Sequence, residues 1–417
     1  MNCQSGLTVQ GESAGVKSLK MPLALAVGCF VVWGLAYGLL DVLNKHFQET
    51  LLVSKSRSSW LQIAYFGAYL TMSLPAGKIL DARGYKFSLV LGLIVTALGA
   101  LLFVPSARAA SFGFFVGSMF VMASGLCFLE TAADTYVNVL GPAEHATQRL
   151  NLAQSFNALG VFFGPLIGGA LFFTPSVALK LGGEQKAVEG TYVLIAALVL
   201  LYAVVLSVAY IPEIRPSENA ARRDNETGRF SLWNQRHFVL GVATQALYVG
   251  AQVGVGAYFI NLVTETWSGL TSRQGAFLLS LATVGYLLGR FTSTALLLRV
   301  SPRSLLTTYG VISTLLCLIV AAGMQRVSSI ALIAVFFFMG TMFATIFTLG
   351  VRNLGQSTKR AASIMVMAIG GGVLLPYPMG YLAELYGTPT AFLLPAFSFA
   401  CVGLYGLSGA RVSGPSF

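Results

Sequence analysis

Apolar residues run along this chain in long, nearly unbroken stretches rather than in alternation or in narrow stripes. Twelve stretches are each about long enough for a bilayer-spanning helix of roughly 20 residues. They lie at 21–43, 59–80, 86–105, 111–140, 150–173, 190–211, 237–262, 275–298, 304–324, 328–350, 361–383 and 388–408. One such helix could be the buried core of a soluble domain; twelve in succession predict an all-α integral membrane protein. The longest polar interruption follows the sixth stretch. The expected organisation is a tail at 1–20, a six-helix bundle at 21–211, a central loop at 212–236, a second six-helix bundle at 237–408 and a tail at 409–417. Gly160, Gly164, Gly168 and Gly169 fall inside a stretch, where small residues let membrane helices approach closely.

Composition excludes the aqueous alternatives. Of 417 residues, 56% are hydrophobic and 10% charged, with a mean hydropathy of +0.75. A soluble surface needs roughly 25% charged residues, and disorder needs low hydrophobicity with high charge. The net charge of +11 would suggest nucleic acid in a soluble protein. Here it sorts by side. With both termini cytoplasmic, eighteen of the 26 Lys and Arg residues fall inside and eight outside, the positive-inside asymmetry. The reading is a multi-pass membrane protein with both termini cytoplasmic and no nucleic-acid partner. Residues 1–19 lack a signal-peptide pattern, so the first stretch is expected to be retained. The cysteines show no CxxC spacing, and the histidines sit at span ends with no HExxH and no nucleophile elbow. No metal site, cofactor or enzymatic chemistry is expected.

Six spans on each side of a central loop is the layout of transporters built from two facing bundles. The loop between the second and third spans holds Gly77, Asp81, Arg83 and Gly84. Glycine suits a tight turn, the cations suit a cytoplasmic membrane face, and Asp81 can accept from a helix N-terminus or a nearby Arg and so lock one conformation. Arg290, with Arg299 and Arg303, forms a degenerate echo in the second half. An ordinary positive-inside loop explains the cations but not the Gly-Asp-Arg-Gly order. That order resembles the loop signature of the major facilitator superfamily.

Twelve of the fifteen acids fall in loops, tails or span ends; Asp41, Glu130 and Asp134 do not. An ionised carboxylate in hydrocarbon costs about 2.5–3.5 kcal/mol, so such groups face a cavity or a partner. Burial favours the protonated form, and hydration releases the proton, as a proton coupler requires. Glu130 and Asp134 stand four residues apart, on one helix face, where joint ionisation is disfavoured. Asp41 could instead be interfacial, and Asp134 could be a cytoplasmic-end charge paired with Arg149.

The fifth span opens with a polar stripe, Asn151, Gln154 and Asn157. Such amides either glue helices together or bind hydroxyls in a cavity. The seventh adds Gln245, Tyr248, Gln252, Tyr258 and Asn261. Amides with aromatics hold a sugar by multiple hydrogen bonds and a ring face. Candidate solute-binding residues are Gln154, Asn157, Tyr37, Asn138, Gln245, Gln252 and Asn261. Candidate gating residues are Gly77, Asp81, Arg83, Gly84, Arg149 and Arg290.

The strings Phe128 to Ala133, Val139 to Pro142 and Arg149 to Asn157 resemble the fucose–galactose–glucose:proton symporter family. Tyr248 to Val255, Thr345 to Gln356 and Gly370 to Gly372 resemble its later spans, so the resemblance covers nearly the whole chain in order. It implies proton-coupled import of a monosaccharide by alternating access, in the major facilitator fold, by a monomer in the lipid bilayer of the cell inner (plasma) membrane. The family's coupling Asp and Glu match Asp41 and Glu130, and its cavity amides match Gln154 and Asn157. Two departures stand out. The family's Asn-Asp is Leu40-Asp41 here, and its Ala-Ala-Asn-Pro is Ala132-Ala133-Asp134-Thr135. These leave open a non-sugar solute, such as a drug or a metal chelate, moved in either direction.

Overall fold

The computed structural model describes residues 20–140, 146–173, 184–213, 232–297, 299–352, 354, 361, 364–365 and 367–410. Regular structure among these residues is helical. The first half comprises α1 (Lys20–Thr50), the short α2 (Lys55–Ser58), α3 (Trp60–Arg108), α4 (Phe112–Val139), α5 (Ala146–Phe172) and α6 (Glu184–Val208). The second comprises α7 (Arg236–Ala257), α8 (Phe259–Thr266), α9 (Ser272–Leu296), α10 (Pro302–Ala321), α11 (Gln325–Gly350), a 3-10 segment (Ala368–Val373), α12 (Pro376–Tyr386), α13 (Thr388–Ala391) and α14 (Leu393–Leu404). Among the described residues, ten helical segments are long and apolar enough to cross a membrane.

The difference from twelve has local causes. The second and third stretches join into the single α3, with one break at Gly84 (φ 81°, ψ −178°). The N–H groups of Tyr85 and Lys86, freed by that break, both donate to the Glu213 carboxylate at 3.0 Å. A Cβ on Gly84 would lie within 2.7 Å of that carboxylate. Glycine therefore serves both the positive φ and the close approach. Asp81 is exposed; the acid seated at this helix N-terminus is Glu213, where the dipole favours a negative charge. The eleventh stretch is interrupted between the 3-10 segment and α12, the latter begun by Pro376. The seventh is broken at Tyr258, between α7 and α8.

Packing follows the small residues. Gly160 and Gly164 of α5 lie on the backbone of α1; a Cβ on Gly164 would stand 2.5 Å from the Gly38 carbonyl carbon. Close contact of this kind replaces the hydrophobic effect as the source of helix association in lipid. Leu194, Leu198, Leu201, Val205 and Val208 on α6 are exposed. At helical spacing they form a lipid-facing stripe.

Where α1 ends, the two halves are joined. Asn44 Nδ2 donates to the Ala257 carbonyl at 2.8 Å, and Asn261 Nδ2 to Gln48 Oε1 at 2.6 Å. Ser272 donates to Glu49. Lys55 Nζ meets Glu265 at 2.7 Å and donates to Thr388 Oγ1 at 2.8 Å. The Ser56 N–H donates to Glu384 at 2.5 Å, and the Tyr258 hydroxyl to the Lys55 carbonyl at 2.8 Å. Deeper in the seam, Ser280 donates to the Phe162 carbonyl at 3.1 Å. The molecule is thus closed at the α1 end.

Candidate functional site

Trp33, Tyr37, Asp41 and Asn44 recur at three- and four-residue steps on α1, so they share a face. Gln62, Tyr65, Phe66 and Tyr69 do the same on α3. The two faces meet. Trp33 Nε1 donates to the Tyr65 hydroxyl at 3.0 Å. The Tyr37 ring lies 5.9 Å from Tyr65 and 6.2 Å, edge-on, from Phe66. Tyr65 and Tyr69 stack with centroids 5.4 Å apart.

Asp41 is 7% exposed and lies nine residues inside the end of α1, which runs on to Thr50. It is a buried group of the seam, not an interfacial one. Its carboxylate sits against Gly256 of α7, and the Gln62 amide faces it. Glu130 on α4 faces Tyr69, with Asp134 on its other side. A small recess beside Glu130 is lined by Cys29, Phe30, Trp33, Leu129 and Ala133.

Elsewhere in the bundle several polar atoms are buried without a hydrogen-bond partner: both ends of the Gln245 amide, Asn44 Oδ1, Asp134 Oδ1 and Asn261 Oδ1. An orphaned buried polar atom costs about 1–3 kcal/mol. In a membrane bundle such atoms are tolerated where water or a polar ligand completes the bonds.

The remaining predicted residues divide. Gln154 is half-buried on the same face of α5 as Asn157, whose amide donates to the Phe30 carbonyl at 3.2 Å and so ties α5 to α1. Gln245 is fully buried and Gln252 half-buried on α7. Asn261 belongs to the closed seam through Gln48. Tyr248 donates to the Met339 carbonyl at 2.7 Å, within the second half. Gly77 has open space around it, and Arg83 lies over the Phe87 ring at 5.2 Å. Arg290 lies over the Tyr286 ring at 5.3 Å and donates to the Gly340 carbonyl at 3.1 Å. The side chains of Asn138 and Arg149 lie outside the described residues.

Trp33, Gln62, Tyr65, Tyr69 and Tyr286 escaped the sequence reading. Tyr286 is in electrostatic reach of Tyr37 across the seam. The available signal was the Gln62-Tyr65-Tyr69 spacing within an apolar stretch, which places polar tips on one helix face.

Residues 24–376 match the model of the Major Facilitator Superfamily. The chain is 33% identical over 401 residues to a glucose/galactose transporter of Brucella abortus, covering 96% of this chain and 97% of that protein. It is 34% identical over 424 residues to the L-fucose-proton symporter of Escherichia coli, covering 96% of each. A crystal structure of the superfamily transporter FucP in the outward conformation is similar at 33% identity, with a TM-score of 0.67 over 94% of this chain and 99% of that one.

Proposed function

The chain belongs to the major facilitator superfamily, within the group of glucose/galactose transporters and L-fucose–proton symporters, and on that premise we propose that it imports a monosaccharide together with a proton. The observation that carries this reading is the pair Asp41 and Glu130, carboxyl groups set inside the first half and faced by Gln62 and Tyr69. An acid placed there has a function that outweighs its insertion cost.

The positive-inside count puts both termini in the cytoplasm, so the joined α1 end faces outward. The structure is then closed to the outside, while the relative FucP was captured in the outward conformation. Rocking of the two halves about the midplane site connects such states. Protonation of Glu130 and Asp41 from outside neutralises the site and favours solute entry. The Asn44, Gln48 and Lys55 contacts then close behind the solute. Proton and solute leave together into the cytoplasm. The protein works as a monomer, one site per chain.

The test is proton uptake into proteoliposomes on addition of D-glucose, D-galactose or L-fucose. The parent should take up protons with at least one sugar, and Glu130→Gln should not. A Glu130→Gln variant that couples like the parent removes Glu130 from the mechanism. Asp134, standing where the family carries an amide, favours a second reading with a non-sugar solute such as a drug or a metal chelate. A counterflow screen of sugars against such compounds separates the two.

A further inference from the structure

The short α2 is a single turn, Lys55 to Ser58, and a helix of that length does not hold in water by itself. Its own fastenings are small. Ser54 Oγ accepts from the Arg57 N–H at 3.3 Å, and Ser59 Oγ donates to the Ser56 carbonyl at 2.6 Å. Gln48 Nε2 ties it to α1 by donating to Ser58 Oγ at 2.8 Å, and Arg57 lies over the Phe112 ring at 6.0 Å. The turn belongs to the first half, yet its seat is made by the second. The Tyr258 hydroxyl, between α7 and α8, donates to the Lys55 carbonyl. The Lys55 ammonium donates to Glu265 of α8 and Thr388 of α13, and the Ser56 N–H donates to Glu384 of α12. The floor of the seat is Gly380 of α12, where a Cβ would stand 2.5 Å from Ser56 Cα. The atom met there is backbone, which cannot swing aside as a side chain does. On the tether from α1, Leu52 is 87% exposed and holds φ 50°, a left-handed conformation that a leucine keeps only where its surroundings impose it.

We propose that α2 is a latch whose fold depends on its seat: the turn is helical while docked on Gly380 and unwinds when the halves part at the α1 end. The proposal rests on the alternating-access reading and goes beyond it, since rocking alone would carry α2 away as a rigid part of the first half. An order–disorder step of this kind couples a local contact to the position of a whole bundle. Closure then requires the turn to re-form on the second half.

The test follows α2 directly and needs no solute. Amide hydrogen exchange at Ser56, Arg57 and Ser58, and the distance between spin labels at the exposed Arg57 and Tyr386, are measured in nanodiscs on the parent, Gly380→Ala and Tyr258→Phe. The parent should show one short distance and slow exchange. Gly380→Ala should add a longer distance and speed exchange in the turn about tenfold or more, while α4 and α11 exchange as in the parent. Tyr258→Phe keeps the ring and removes one hydrogen bond, so exchange in the turn should rise about fivefold. It carries the test if Gly380→Ala does not fold. A longer distance with the turn still protected shows a rigid α2 and overturns the latch. So does exchange that is unchanged in the variants, or that rises equally in α4 and α11. A parent that takes up no proton with any sugar, yet shows these shifts, removes the sugar reading and keeps the latch.

Discussion

The Asp41 carboxylate lies so close to Gly256 that a Cβ there would stand 2.6 Å from Asp41 Oδ2. A buried acid of the first half is thus seated on bare backbone of the second, one residue before the Ala257 carbonyl that Asn44 holds. Glycine lets α1 and α7 meet at this depth. Separating the halves should remove that seat, which would link the state of Asp41 to their position.

Gly256→Ala should oppose that closure. Overpacking of this kind costs about 1–3 kcal/mol, roughly a fivefold to hundredfold shift toward opening at the α1 end. Spin-label distances between the outer ends of α1 and α7 should lengthen, and turnover should fall while sugar affinity is kept. Unchanged distances would mean that the seam absorbs the methyl group.

Asp41→Asn keeps the shape of the side chain but cannot release a proton. Sugar counterflow should continue, and accumulation driven by a pH gradient should be lost. Both are read in the same proteoliposome preparation. Retained accumulation would show that Asp41 is not needed to carry the proton.

Outer closure should weaken in acid. Burial pulls Glu384 upward, but the Ser56 N–H and hydroxyl, the Ser54 hydroxyl and Lys55 outweigh it and hold the carboxyl below its ordinary 4.5. A depressed acid contributes above its ordinary value and loses that contribution as pH falls through the lowered one. The contact at the α1 end is therefore intact at neutral pH and weakens as pH falls below about 4.5. Glu384→Gln should abolish this acid dependence of the α1–α7 distance. Lys55→Ala should loosen closure only slightly, because exposed ion pairs are worth about 0.2–1 kcal/mol.

Gly84→Ala should destabilise the first half through its positive φ and the Glu213 contact, by about 1–3 kcal/mol. Glu213→Gln should cost less, about 0.3–1 kcal/mol, because an amide oxygen still accepts but the charge at the helix N-terminus is gone. Thermal unfolding in detergent should rank parent, Glu213→Gln and Gly84→Ala in falling order.

Much of the fold was legible because a membrane imposes its rule locally. Each span must be apolar by itself, so stretches such as 111–140 and 328–350 lie close to α4 and α11. The breaks were harder to place. Gly84 reads as a turn, yet the chain stays helical on both sides of it because Glu213, distant in sequence, supplies the cap. Asp41 and Glu130 stand out as candidates from hydropathy alone. Tyr69 and Gln62 do not, since a Tyr or Gln in an apolar stretch carries no charge to make its burial conspicuous.

The sequence by itself determined that this chain spans a bilayer many times, which side its cations favour and which acids are carried inside. These follow from transfer energies that each residue expresses wherever the helix is placed. Only the tertiary structure decided that Asn261 serves the closed seam, that Asn157 ties α5 to α1, and that Tyr69 faces Glu130. Those roles depend on how each helix is rotated and on which half it meets. Rotation and pairing are set by close packing between residues far apart in sequence, such as Gly38 with Gly164 and Asp41 with Gly256.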